Sequence, residues 1–311
     1  MNVDKLYELD SDKSIYAGNG NCIEKNISAL RARKATIFWH PSWLITPKSL
    51  PHIIKWHRAL RSAGAKLIVC CNDPSELGWC KVGFLHCILM NQNLHECEHE
   101  YTIQSQEKKY DAIYIAQARP FKRMELAKEV EKLYILTYGC GQFTNAEGDN
   151  DLETFEPTIS HARWNKGFIH DRTEVSSIIC STCAGLALSK REGAMWASVQ
   201  YLLCGIPIVT TPSRGGREHF FDERHTYRTA PDSKKVKLAV DALIKDEIDP
   251  FEVRETVISK MKLERIRYVK LLKEEARFRN DLTTQECCDF IWGPPNGIKK
   301  YEATFLIEGL D

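Results

Sequence analysis

The chain lacks any apolar run of the roughly 18–20 residues that a helical bilayer crossing needs. It also lacks charge of one sign. Its 43 Lys and Arg stand against 42 Asp and Glu, a formal net charge of +1. That balance excludes the general basic excess of a nucleic-acid binder, though not a local basic groove. The N-terminal stretch MNVDKLYELDSDKS is polar and acidic, so it does not read as a secretory signal, and a cytoplasmic location is expected. There is no internal repeat and no low-complexity segment. The CxxC at Cys180 and Cys183 has no partner pair, which argues against a four-cysteine zinc site.

Cysteine itself is plentiful, at 12 of 311 residues. Cys70, Cys71, Cys87 and Cys204 lie inside apolar runs, as reduced, buried thiols do. The length suits two domains. Short β-branched runs alternate with helical patterns. Strands are expected at 35–39, 66–70, 84–90, 112–116, 133–137, 185–188 and 206–210. Helices are expected at 50–62, from Asp73-Pro74 onward, and at 124–132, 173–180, 194–204, 234–244 and 251–280. Gly205 and Pro207 stop the helix before them. Such alternation predicts an α/β protein with two Rossmann-like domains and a ligand cleft between them. The polar stretch 91–109 marks the boundary. The expected division is 1–105, 106–285, and a tail at 286–311 packing back towards the first domain.

Three strand-end loops carry the candidate chemistry, because ligands of parallel sheets bind at the strands' carboxyl ends. The first is Ala118-Arg119-Pro120-Phe121-Lys122-Arg123, three cations within five residues. It is either a diphosphate clamp or a solvated basic turn. The second is Ser189-Lys190-Arg191-Glu192-Gly193-Ala194, where a strand passes through a polar turn into a helix. Glycine and helix amides there suit an anion. Glu192 either bonds sugar hydroxyls or merely caps the helix. The third is Thr211-Pro212-Ser213-Arg214-Gly215-Gly216, whose paired glycines permit close approach to a ligand or a tight turn.

From about Tyr110 to Ile244 these motifs, with Cys204-Gly205-Ile206-Pro207-Ile208-Val209, resemble the donor half of family-4 glycosyltransferases, which have the GT-B fold. The resemblance implies transfer of a sugar from a nucleotide-diphosphate-sugar donor to an acceptor hydroxyl, with retention of anomeric configuration and no metal or other cofactor. It implies that Arg119 and Lys122, with Arg123 as the alternative cation, hold the diphosphate. Glu192 would meet the donor sugar beside the Gly193 and Ala194 amides. Gly215 and Gly216 would lie in the donor loop. Gln200 stands where the family has a ribose-binding carboxylate, a weaker acceptor of hydroxyl protons. Asn91-Gln92-Asn93 resembles the family's interdomain crossing, so the N-terminal, acceptor-side domain is expected to be shortened. The family's acceptor-side histidine falls best on His40, at the end of a strand; the other reading is a histidine in an aromatic turn. The acceptor, whether glycan, lipid-linked or other, is not encoded in any motif. Neither is the base, whose loop is expected around Asn165 to His170. No carboxylate pair suggests double displacement. A protein that binds donor without turnover, and a sugar-nucleotide epimerase, remain alternatives.

Two further segments have specific and plain readings. His95-Glu96-Cys97-Glu98-His99 alternates zinc-competent side chains but shows no further ligand, and a polar linker explains it equally. The stretch Arg254 to Arg279 has a basic excess, read as a solvated face or as weak attraction to an anionic membrane surface or an acidic acceptor.

Overall fold

The computed structural model describes residues 5–137, 159–165, 169–294 and 297–298. The chain forms two compact units. The first comprises the described residues up to His99, Gly215–His219, and those from Met261 onward. The second comprises Glu100–Arg214 and Phe220–Lys260.

The first unit is built on a five-stranded sheet in the order β1-β2-β3-β4-β5. Its strands are β1 (Leu6–Asp10), β2 (Ile15–Asn19), β3 (Thr36–His40), β4 (Lys66–Cys71) and β5 (Cys87–Leu89). β1 and β2 form an antiparallel hairpin, and every later pairing is parallel. Helices α1 (Cys22–Ala32), α2 (Leu50–Arg61) and α3 (Pro74–Val82) connect β2 to β5. Consecutive right-handed crossovers in one direction bring all three helices to the same face. The core agrees: Tyr16, Ile37, Trp39, Leu67 and Val69 pack with Ile23, Leu30, Ile53, Trp56 and Leu60. α2 buries Ile53, Trp56 and Leu60 at helical spacing, each worth roughly 1.5–3 kcal/mol of burial. Asp73 caps α3 by accepting from Ser75 N at 2.8 Å, with Pro74 in the first turn. The alternate strand residues face the other way. There the rings of Phe38 and His40 meet Tyr268, on the helix Pro250–Ala276, at 5.9 and 5.6 Å.

The second unit holds a wholly parallel six-stranded sheet in the order β11-β10-β9-β6-β7-β8. The strands are β6 (Tyr110–Ile115), β7 (Leu133–Leu136), β8 (Arg163–Trp164), β9 (Thr182–Ala187), β10 (Ile208–Thr210) and β11 (Thr226–Arg228). Read from β8, this is the 3-2-1-4-5-6 order of the doubly wound dinucleotide fold. The chain therefore reverses direction between β6 and β9. The helices are α4 (Arg172–Cys180), α5 (Trp196–Leu203) and α6 (Ser233–Lys245), followed by α7 (Pro250–Ala276) and, in the first unit, α8 (Thr284–Trp292).

Two local expectations need correction. The helix expected over 124–132 is only a 3-10 turn, Met124–Ala127. The buried residues there are Met124, Ala127 and Val130, a three-residue spacing that suits the tighter 3-10 turn. The strand expected from Phe84 is confined to Cys87–Leu89, because Phe84 lies in the left-handed region at φ 53°.

Candidate functional site

The crevice rule for open parallel sheets points to the carboxyl ends of β6 and β9, where strand order reverses. The loops leaving those two strands are the Arg119–Arg123 and Ser189–Ala194 segments. The β10 loop lies beside them. Backbone hydrogen bonds lace the three together: Lys190 N donates to Phe121 O at 2.7 Å, Arg214 N to Lys190 O at 3.1 Å, and Glu192 N to Arg214 O at 2.9 Å.

Two tyrosines set the height of the β6 end. Tyr114 donates its hydroxyl proton to Lys122 O at 2.6 Å, and the Tyr201 hydroxyl accepts from Ile115 N at 2.7 Å. Tyr201 reaches across β9 because position 185 is glycine. A Cβ there would sit 2.3 Å from the Tyr201 ring, so any larger residue would push α5 away. Neither Tyr201 nor Gly185 is singled out by sequence reasoning. The available signal was a glycine inside a strand pattern.

Lys122 and Glu192 meet as an ion pair, with side chains only 8% and 10% exposed. Arg123 does a different job. It takes a left-handed backbone, φ 54°. Its Nε donates to Leu188 O at 2.6 Å, and its Nη2 donates to Thr211 Oγ1 at 2.8 Å and to Pro212 O at 3.0 Å. Arg123 thus ties all three loops, while Lys122 faces the acid. Arg119 is half-buried and precedes the turn Pro120–Lys122. Lys190, Arg191 and Arg214 are exposed on the same loops, with Arg191 over the Phe121 ring at 5.4 Å. Segments 119–123, 189–193 and 210–214 together carry six cations and one acid, Glu192. Such a surplus at one sheet edge suits a polyanionic ligand.

Gly193 and Ala194 are buried and lead into α5, and Met195 immediately before the helix is left-handed at φ 54°. Gln200 lies on α5, 1% exposed. Gly215 has φ 101°. Gly216 is required by a close approach: a Cβ there would sit 2.2 Å from Asn72 O, and Asn91 Nδ2 donates to Gly216 O at 2.8 Å. These contacts belong to the first unit. Of the segment expected to meet the base, 166–168 lie outside the described residues, as do 295–296 and 299–311 of the tail.

His40 ends β3 in the first unit and is 2% exposed. Its Nε2 lies 3.1 Å from Nε2 of His95. His95 Nδ1 accepts from Trp292 Nε1 at 3.3 Å, so the His95 proton sits on Nε2 and is donated to His40. Both rings pack against Tyr268. Burial pulls His40 down to about 3, against a backbone contact from Met90. Burial, then the neighbouring His40 and Arg265, holds His95 well below its ordinary value. The pairing of His40 with His95 could not be read from either segment alone. Nearby, Glu98 takes a bidentate bond from Arg265 at 2.6 and 2.8 Å. Among the described residues no group of three or more His, Cys, Asp or Glu is arranged to hold a metal ion.

No family model and no curated protein matches the chain. Solved structures do. Anabaena HepE in complex with UDP superposes with a TM-score of 0.61 at 10% identity, over 84% of this chain and 79% of that one. Sucrose-phosphate synthase from Thermosynechococcus elongatus gives 0.59 at 12% identity, over 78% and 68%. A UDP-forming α,α-trehalose-phosphate synthase from Burkholderia vietnamiensis gives 0.55 at 8% identity, over 75% and 64%. These neighbours have the GT-B glycosyltransferase architecture. The likeness establishes that fold, with two Rossmann-like domains, for this chain.

Proposed function

We propose that the chain is a glycosyltransferase that moves a hexose from a nucleotide-diphosphate sugar to an acceptor hydroxyl, with retention and without a metal. The observation that carries this reading is the Lys122–Glu192 pair at the reversal point of the second sheet, on loops that also carry Arg119, Lys190, Arg191 and Arg214. Negative charge develops on the diphosphate as the glycosidic bond breaks. Fixed cations in a partly dry site favour that state without reorganising. In this reading the diphosphate draws Lys122 from Glu192, and the released carboxylate accepts hydrogen bonds from sugar hydroxyls. The UDP in HepE and the UDP-forming synthase make uridine the first base to test.

Gln200 favours a second reading, a protein that binds donor without turnover, because an amide holds a ribose less firmly than a carboxylate. A panel of nucleotide sugars in a thermal-shift assay comes first, since a ligand of the folded state raises its melting temperature. UDP release in the presence of an acceptor extract comes second. Release abolished by Arg119→Ala and Glu192→Gln supports transfer. Binding without release under any condition supports the second reading. An epimerised sugar product would replace both.

A further inference from the structure

The end of α3 carries an unusual residue. Phe84 N donates to Lys81 O at 3.0 Å, and Leu85 N donates to Cys80 O at 3.0 Å. This is the Schellman pattern, with Phe84 in the left-handed position that glycine normally fills. A bulky side chain there is strained, and such strain persists where something else uses the residue. Packing does not use it, for Phe84 is 92% exposed. Val82 is 67% exposed and Trp79 39% exposed. The three form one apolar knuckle, Trp79 and Val82 sharing a helix face at i, i+3.

The surroundings are basic. Lys81 and His86 are exposed, and so are Lys55, Arg58 and Arg61 on α2, a helix with no acidic residue. A cavity of about 430 Å³ opens beside Phe84, lined by His57, Arg61, Lys66, Leu67, Leu85 and His86 among others. Glu275 pairs with Lys66 and with His86, and Glu24 pairs with His52. Burial, then Arg61, His86 and Arg58, lowers the His57 pKa, a sign of positive potential in the cavity wall. By contrast, three cations of α7, in the stretch whose basic excess suggests a membrane face, bond backbone carbonyls, while Lys262, Arg267 and Lys270 are exposed. Arg254 bonds Tyr101 O, Lys260 bonds Phe221 O at 2.5 Å, and Arg265 bonds Leu94 O at 2.9 Å.

We propose that this face docks on an anionic lipid bilayer, with Phe84, Val82 and Trp79 entering the headgroup boundary and the α2 cations and Arg61-lined cavity receiving lipid phosphates. An apolar knuckle inside a ring of cations is the composition of an interfacial anchor. A soluble polyanion would use the cations but leaves the exposed Phe84 unexplained.

The test is co-sedimentation of the full chain with vesicles. Pelleting is expected with phosphatidylcholine containing about one third phosphatidylglycerol, much less with phosphatidylcholine alone, and is reversed by salt as charges are screened. Phe84→Gly should keep or raise the melting temperature, since it relieves the left-handed strain, yet lower partitioning at least about tenfold. Arg58→Glu with Arg61→Glu should lower it comparably. Pelleting of Phe84→Gly at the wild-type level overturns the proposal. So does equal pelleting on neutral vesicles, or binding to heparin with no pelleting on either vesicle.

Discussion

The Lys122–Glu192 pair offers a sharp test of the proposed site. Both side chains are about a tenth exposed. Removing one member of so buried a pair leaves a charge without compensation, a loss of about 3–5 kcal/mol, whereas an exposed pair is worth about 0–1 kcal/mol. Glu192→Gln and Lys122→Met should therefore each lower the unfolding free energy by about 3 kcal/mol. The double variant should lose little more than either alone, giving a coupling energy of about 2–3 kcal/mol. Urea denaturation of the four proteins measures it. Adding UDP separates the site from a mere structural pair. In Glu192→Gln the stranded Lys122 gains a phosphate partner, so UDP should stabilise that variant more than wild type, and Lys122→Met less. A coupling below about 0.5 kcal/mol means a solvated pair, and equal UDP shifts in all variants mean that the diphosphate does not reach Lys122. Either result would sink the argument.

Other outcomes follow from single contacts. Gly185→Ala should destabilise by about 1–3 kcal/mol, because the added methyl meets the Tyr201 ring at 2.3 Å; Tyr201→Phe should lose about 1–3 kcal/mol by stranding the Ile115 N–H. Gln200→Glu should tighten UDP binding in calorimetry if the position meets the ribose, and leave it unchanged if it does not. His40, held down at about 3 in the folded protein, is protonated first in the unfolded chain. Its contribution to stability is therefore whole above pH about 6.5 and is lost as pH falls towards 3, about 2 kcal/mol between pH 7 and 5. Glu76 runs the other way. Burial raises it to about 7 against the Ile45 and Asn72 amides, so its contribution is whole below its unfolded value and is lost as pH rises through 7. Comparing wild type with His40→Asn in urea across that range isolates the histidine slope.

The strand-end loops of the second unit were legible because their signals are local. Each strand-end loop carries its own glycine, cations or acid, and a reader needs only the strand before it. The division of labour between Lys122 and Arg123 was not. Whether Lys122 or Arg123 turns to the acid depends on one left-handed residue, and the pattern Arg-Pro-Phe-Lys-Arg does not state which position that is. The hairpin of β1 and β2 escaped notice because its charged residues broke the apolar run. α8 escaped although Thr283 and Glu286 form a capping box ahead of Cys287, Cys288, Ile291 and Trp292.

The first sheet shows a deeper limit. Its strands follow one another in chain order, so every connecting helix covers the same face, and the other face is left to the turn Gln92–His95, whose His95 packs on His40, and to later segments. Burying Phe38, His40, Ile68 and Cys70 requires the segment beginning at Met261, which supplies Tyr268 and Trp292. The sequence divides where composition shifts, near residue 100, which places the long helix after residue 251 in the second domain and returns only the tail from 286 towards the first. Only the strand order reveals that the first unit is unfinished until its last helices arrive. That dependence also explains why the sequence places His40 at a strand end but shows nothing of what packs on it. Its partners His95 and Tyr268 lie 55 and 228 positions away in the chain, beyond the reach of any local pattern.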